Sequence, residues 1–279
     1  MHPELFDIYV EGAFDRDFIF EFLDSASKRG DVSVYAINDI DVPPDQVSAL
    51  GLGHGSNRNR VLTLAKILEA RLRGINENII CLVDADLDRL FGRLRSWVYL
   101  THTDYTCMEM YSLNDFSLKR FLRFTCNLGE AKASEFLVIA STVLPVQFCL
   151  RGAIEALGLS VSIPSFSGGL TTKKNLTTFS SDKYVDLFLR TNSFLDRTEE
   201  IRTLLTDLGS RLADDIRHKA HGHDFVELLF EFSWLSGGVK LHSKEVDVKN
   251  FGSRIVASGV DFAALAAEPL FASLTRPSP

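Results

Sequence analysis

Three aspartates spaced two apart, Asp84, Asp86 and Asp88, close the apolar run Ile79-Ile80-Cys81-Leu82-Val83. A bare Asp-x-Asp is common, and its ordinary roles are a helix start or a surface salt bridge. Here the pair ends an apolar run, where ionised groups are costly unless they are paired or hold a metal. Five consecutive apolar residues behind polar Asn76-Glu77-Asn78 predict a strand buried on both faces. The C-terminal end of such a strand is where open α/β sheets place ligands. A further carboxylate, Glu11, follows Leu5-Phe6-Asp7-Ile8-Tyr9-Val10, a strand candidate by its β-branched and aromatic content. If these strands are neighbours, Glu11, Asp84 and Asp86 share one rim and repel each other unless a divalent cation lies between them. Hard oxygen donors suit Mg²⁺ or Mn²⁺ better than zinc. Such a cation completes its shell with phosphate oxygens, the arrangement for phosphodiester cleavage or nucleotidyl transfer. Glu11 lies on a different strand from the aspartates, which also suits it to general acid or base work. Its bland alternative is a Glu-Gly turn after a strand.

The elements that must position these residues are legible in chain order. After Glu11-Gly12, a helix opens at Asp15 with Phe18, Ile19, Phe22 and Leu23 at helical spacing. Lys28-Arg29-Gly30 supplies its basic, glycine-terminated end. Val32-Ser33-Val34-Tyr35-Ala36-Ile37 is the second strand, so the chain opens β-α-β, with a parallel pair as the default. Residues 38–57 are polar and turn-rich, ending in Gly51-Leu52-Gly53-His54-Gly55-Ser56-Asn57 before a helix over Arg58–Arg73. A glycine-rich loop feeding a helix can cradle phosphate through backbone N–H groups, which makes Asn57 and Arg58 candidate phosphate contacts. The spacing matches neither the Walker pattern nor G-x-G-x-x-G, and a flexible connector explains it as well. Trp97-Val98-Tyr99-Leu100-Thr101 is a fourth strand after an Arg-rich segment, and Glu109 follows it as a further candidate for the rim.

Beyond about residue 112 the pattern turns helical, over 115–125, 130–157, 182–191 and 196–217, with Ser160–Ser181 read as a loop or short β excursion. The expected organisation is an α/β core over 1–111, a mainly helical insertion or second domain over 112–215, and a segment over 216–279 packing back on the core. His218, His221 and His223 invite a zinc reading, yet residues two apart on a helix face different ways and Gly222 interrupts the turn. A turn in which His223 and Asp224 cap the helix Phe225–Phe232, or approach the rim, is the better expectation. Asp261–Leu274 reads as a closing helix before Pro277-Ser278-Pro279, which reads as a disordered end.

Bulk properties exclude several classes. Thirty basic against thirty-seven acidic residues leave a net charge of -7, which argues against a protein that coats nucleic acid by bulk charge. A local path remains open to Arg58, Arg60, Arg89, Arg93 and Arg95. The four cysteines are scattered and form no C-x-x-C pair, as in reduced core residues of a cytoplasmic protein. The start carries no signal-peptide pattern, and no window approaches the roughly 18–20 uninterrupted apolar residues of a membrane span.

A Glu-Gly after the first strand, with a later strand ending in Asp-x-Asp, resembles the TOPRIM domain of topoisomerases, primases and overcoming-lysogenization-defect nucleases. More narrowly, Tyr9-Val10-Glu11-Gly12-Ala13-Phe14-Asp15-Arg16-Asp17-Phe18 resembles the opening of a bacterial TOPRIM-like family. Leu82-Val83-Asp84-Ala85-Asp86, Thr103-Asp104 with Met108-Glu109-Met110-Tyr111, Gly222-His223-Asp224 and Pro269-Leu270-Phe271 are similar to further segments of that family. The family includes the TOPRIM effector of the PARIS antiphage system, which works with an ABC-type ATPase and is released to cut tRNA. The resemblance implies a TOPRIM-like Rossmannoid parallel sheet with a mostly helical additional region. It also implies a catalytic Glu11, metal ligation by Asp84 and Asp86 with Asp88 beside them, and Glu109, His223 and Asp224 as accessory groups. The expected activity is Mg²⁺-dependent cleavage of RNA or DNA in antiphage defence, by a cytoplasmic homodimer with an ATPase partner. The first alternative is a catalytically silent TOPRIM-fold protein acting by partner binding, with apolar runs such as Phe136–Leu144 as the docking surface. An Asp-x-Asp glycosyltransferase ranks last, because it explains neither Glu11 nor the strand order.

Overall fold

The structure, a computed structural model, describes residues 6–28, 30, 32–73, 78–173, 176–238 and 248–275. Leu5 of the expected first strand, Arg29 of the expected helix end, the polar flank at 76–77 and Pro277-Ser278-Pro279 lie outside them. The chain divides into two compact units. The first comprises Met1–Asp88, Gly92–Met108 and Asp261–Pro279, and the second comprises Arg89–Phe91 and Glu109–Val260. The division falls at Met108, a few residues before the change of pattern in the sequence. Residues 216–260 belong to the helical unit and 261–279 to the first.

The first unit is a Rossmann-like α/β assembly around a four-stranded, all-parallel sheet. Its elements are β1 (Phe6–Val10), α1 (Ala13–Ser25), β2 (Val32–Ala36), α2 (Pro44–Ala49), α3 (Asn57–Leu72), β3 (Ile79–Val83), the start of the short α4 (Asp86–Leu90), and β4 (Leu100–His102). The strand order is β2-β1-β3-β4. Side chains alternate across the sheet, so each strand must be apolar on both sides to be covered by helices twice. One face presents Tyr9, Ile79, Cys81 and Val83 to Val61, Leu62, Ala65 and Leu68 of α3. Ile8, Val10 and Leu82, fully or nearly fully buried, take the opposite face, where α1 packs along β1 and β2. The tail closes that layer, with Phe271 at 4.7 Å from Phe22 and Phe262 at 5.0 Å from Phe18, ring centre to ring centre.

Two details depart from the sequence reading. The expected fourth strand at Trp97–Thr101 pairs only over Leu100–His102, because the chain turns just before it, the Leu100 N–H donating back to the Trp97 carbonyl at 3.2 Å. Within the turn-rich 38–57, Pro44 at the first helical position starts α2, a use of proline that costs no hydrogen bond.

The second unit is helical: α5 (Asp115–Phe124), α6 (Ala131–Ala156), α7 (Ser181–Thr191), α8 (Thr198–Ser210), α9 (Gly222–Leu235) and α10 (Val248–Ala257). The chain then returns to the first unit as α11 (Pro269–Leu274). Between α6 and α7, β5 (Leu170–Lys173) and β6 (Leu176–Phe179) pair antiparallel, the β excursion expected there. α6 packs against α5, α7, α8 and α9. Among the described residues it is the one helix long and apolar enough to cross a membrane by length and composition, and 56% of its most apolar window is buried. Lys132, Glu135, Gln147 and Arg151 interrupt its sequence, which is why a count of uninterrupted apolar residues passes over it. Arg151 on α6 and Asp224 on α9 form a two-pronged ion pair at 2.6 and 2.5 Å, with the Asp224 side chain only 2% exposed. Beside it Tyr184 of α7 donates to Gln147 Oε1 at 2.6 Å, and burial first, then the charges of Asp224 and Glu227, push its phenol far up.

Candidate functional site: a carboxylate rim at the sheet switch point

β1 has β2 on one side and β3 on the other, so the chain reverses its direction of sheet-building between β1 and β3. Helices leave to opposite faces at such a point, and the crevice between the two strand ends receives ligands in open α/β sheets. Tyr9 is level with Cys81 across this pair, so the chain passes off both strands together, delivering Glu11 from one and Asp84 from the other. The Asp84 backbone N–H donates to Glu11 Oε1 at 3.0 Å. Glu11 is itself held at a fixed turn: Gly12 caps α1, and its N–H donates to the Asp15 carboxylate at 2.9 Å.

The Asp84-Ala85-Asp86 turn is pinned from the segment after β4. Ala85 N–H donates to Thr103 Oγ1 at 3.0 Å, whose hydroxyl donates on to the Tyr105 carbonyl at 2.7 Å. Asp86 N–H donates to the Thr106 carbonyl at 2.7 Å. Asp86 takes φ of +40°, in the left-handed region that costs side-chain-bearing residues free energy, although Asp and Asn enter it more readily than most. Non-glycine strain held this firmly is a feature of functional turns. The Thr103-Asp104 segment read from the sequence is thus structural in its contacts. Thr103 braces the rim turn, and Asp104 accepts the Leu270 N–H at 3.0 Å, tying down the tail.

At the centre of the rim is Arg58, the second residue of α3. Its guanidinium donates to Asp88 Oδ2 at 2.7 Å and to the Asp84 carbonyl, with Asp86 Oδ2 at 3.4 Å and Glu11 Oε1 at 3.5 Å. The Arg58 side chain is only 17% exposed. Burial works against its charge, and Glu11, Asp86 and Asp88 more than offset that, holding its pKa above the ordinary arginine value. Arg93 approaches Asp88 from solvent at 3.2 Å. Asn57 is the first residue of α3, behind the Ser56 cap, whose hydroxyl accepts the Asn59 N–H at 3.4 Å. The glycine-rich loop before it is closed on itself by Asn59, whose amide donates to the Gly53 carbonyl at 2.9 Å.

Glu11, Asp84, Asp86 and Asp88 therefore come together, as their positions after the two strands predict. Glu109, His223 and Asp224 belong to the helical unit. There Glu109 is buried and accepts a hydrogen bond from Ser253 at 2.8 Å, and Asp224 is engaged by Arg151. His223 is exposed at the start of α9, edge-on to His221 at 5.3 Å. Arg58 was expected as a phosphate contact; its grip on the rim carboxylates is the feature that sequence spacing does not carry. The one signal was an arginine in a helical first turn with no acidic residue, a place where the helix dipole disfavours a positive charge.

The donor set is all oxygen and suits a hard divalent cation, but its arrangement does not. Among the described residues no group of three or more His, Cys, Asp or Glu side chains is placed to hold a metal ion, and the carboxylates are disposed about the Arg58 guanidinium instead.

Fold and site together define a Rossmann-like α/β unit with a carboxylate rim at its switch point. In comparisons with protein-family models and with curated proteins, nothing matches this chain.

Proposed function

We propose that the protein is a TOPRIM-type nuclease that hydrolyses phosphodiester bonds of RNA, tRNA among them, or of DNA. In this reading it depends on Mg²⁺ or Mn²⁺ and serves in the cytoplasm as an antiphage effector, a homodimer held or released by an ABC-type ATPase. The single observation that carries the reading is the meeting of Glu11 with the Asp84-Ala85-Asp86 turn at the switch point, 3.0 Å from carboxylate to backbone N–H. Crevices of this kind receive ligands in open α/β sheets, and Glu11, Asp84 and Asp86 of the TOPRIM resemblance are gathered there.

The chain's own groups divide the work. Glu11, 21% exposed and on a fixed turn, takes the proton from the attacking water as its oxygen bonds to phosphorus, while the bond from phosphorus to the leaving sugar oxygen breaks and that oxygen takes a proton from solvent. Arg58 and the more exposed Arg93 supply the positive charge that a phosphate needs to approach four carboxylates. The braced turn at Asp86 keeps the reacting groups in register without reorganisation.

Glu11→Gln keeps an oxygen that can accept the Asp84 N–H, so the fold stays intact while the base is lost. The expected result is a fall of about 10²–10⁴ in cleavage rate with unchanged circular dichroism. Fragments of total RNA from cells expressing the wild type, and none from cells expressing Glu11→Gln, are the outcome this reading requires. Equal cleavage by purified wild type and variant overturns it. The same rim also favours a second reading, a TOPRIM-fold protein that acts by binding a partner, because Arg58 already stands among Glu11, Asp86 and Asp88. Retention of cellular toxicity by Glu11→Gln in the absence of nucleic-acid fragments selects that second reading.

A further inference from the structure

In the helical unit, α6, α7 and α8 enclose an open-mouthed cavity of about 400 Å³. Protein interiors hold few voids larger than a water molecule, and small-molecule sites begin at about 300 Å³. The cause of the hollow is legible in α8. Arg202, Leu205, Thr206 and Gly209 recur at the spacing of one helix face, and all four line the cavity. A stripe turned toward two neighbouring helices is ordinarily filled with large apolar side chains, and Thr206 and Gly209 fall short of the space. A β-carbon built on Gly209 meets nothing within 4 Å, so a larger residue has room there and would favour the helix. On α6 the wall is formed at Pro145, which removes a backbone donor in mid-helix. Two residues that oppose helix formation thus face the same hollow.

The lining is mainly apolar. Cys149 stands in the wall with its thiol pushed up to about 11 by burial, and is therefore uncharged at neutral pH. At the mouth, the Arg202 guanidinium donates to Asp186 at 2.7 Å and to Asp182 at 3.2 Å, so one positive charge faces two negative ones. An anion would have to displace these carboxylates, and a cation would meet the guanidinium. Thr206 has committed its proton to the Arg202 carbonyl at 2.9 Å, and its oxygen is left to accept. We infer that this cavity is a binding site for a small, uncharged, mainly apolar molecule, aromatic or short-acyl in its body, whose polar end donates a hydrogen bond toward Thr206 and the carboxylates at the mouth. The cavity belongs to the helical unit, and its ligand is independent of the reading given to the rim.

The test is fluorescence titration of the full-length protein with N-phenyl-1-naphthylamine, an uncharged aromatic amine that brightens in apolar surroundings. Wild type should bind one molecule saturably. Gly209→Leu and Thr206→Trp, which fill the cavity from one face of α8, should bind at least about tenfold more weakly, because a filled cavity no longer buries most of the probe. Melting shows that the loss is not unfolding: Gly209→Leu should melt at or above wild type, and Thr206→Trp, at an exposed position, within about 2 °C of it. Should Gly209→Leu fail to fold, Thr206→Trp carries the comparison. Phe124→Ser removes a side chain 75% exposed on α5 and should leave the affinity unchanged. The anionic probe 8-anilino-1-naphthalenesulfonate, of similar size, should bind about fivefold more weakly than the amine, since the mouth carries excess negative charge. Unsaturable binding by wild type, equal affinity in wild type and the filled variants, or loss of binding in Phe124→Ser overturns the site. Tighter binding of the sulfonate than of the amine overturns the assignment of an uncharged ligand.

Discussion

Replacing Arg151 by methionine keeps most of the apolar stem that α6 packs with and removes the guanidinium that α9 depends on. The Asp224 carboxylate, 2% exposed, then loses both of its charge-assisted hydrogen bonds, at 2.6 and 2.5 Å. Leaving one member of a buried pair without its partner costs about 3–5 kcal/mol. The Arg151 side chain is itself 32% exposed, so water reaches one end of the pair and the lower end of that range, about 3 kcal/mol, is expected. For a unit of this size each kcal/mol moves the melting temperature by about 2–4 °C, which places the shift at about 6–12 °C. The assay is thermal melting followed at 222 nm, where the helical unit dominates the signal. The double variant Arg151→Met with Asp224→Leu removes the stranded charge and should recover more than half of the loss, because an apolar pair of similar volume can replace a buried ion pair at little cost. A melting temperature within about 1 °C of wild type for Arg151→Met refutes the reasoning, since it would mean that the pair is too well hydrated for its loss to matter. A double variant less stable than the sum of the two single changes refutes it from the other side.

Three further outcomes follow from the structure. Asp86 holds φ of +40°, so Asp86→Gly should be more stable than Asp86→Ala by about 1 kcal/mol in urea unfolding, and equal stabilities would show that the turn is unstrained. All four thiols are buried, with burial pushing Cys81 up to about 12 and Cys149 up to about 11, so a disulfide-exchange reagent at pH 8 should label none until the protein is unfolded. Unfolded thiols ionise from about pH 8.5 while the buried ones keep their protons, so the unfolded state binds fewer protons above that pH. Their contribution to stability is therefore complete below the unfolded pKa and declines as pH rises toward 11–12. The urea midpoint should accordingly be lower at pH 10 than at pH 8; a midpoint that rises contradicts the sign.

Much of the α/β unit was determined by the sequence alone. A run such as Ile79–Val83, apolar without alternation, has no stable place except between two covered faces, and the first polar residues after it must emerge at the sheet edge. The same logic, applied to β1, places Glu11, so the two halves of the rim were legible from local composition. Helices α1 and α3 were legible for the same reason: their apolar spacing admits one buried stripe. What joins the halves was not. Nothing local specifies that β1 lies between β2 and β3, and only that order turns two separate carboxylate turns into one crevice.

Long-range pairing was likewise the work of the tertiary structure. Arg58 reaches Asp84 across 26 residues, and Arg151 reaches Asp224 across 73. A charge in the sequence carries no address, because its partner is decided by which elements packing brings within about 4 Å. Sequence spacing thus assigned the types of chemistry available at the rim. The packing of α3 against β3 decided that an arginine is seated among the carboxylates and offsets part of their charge.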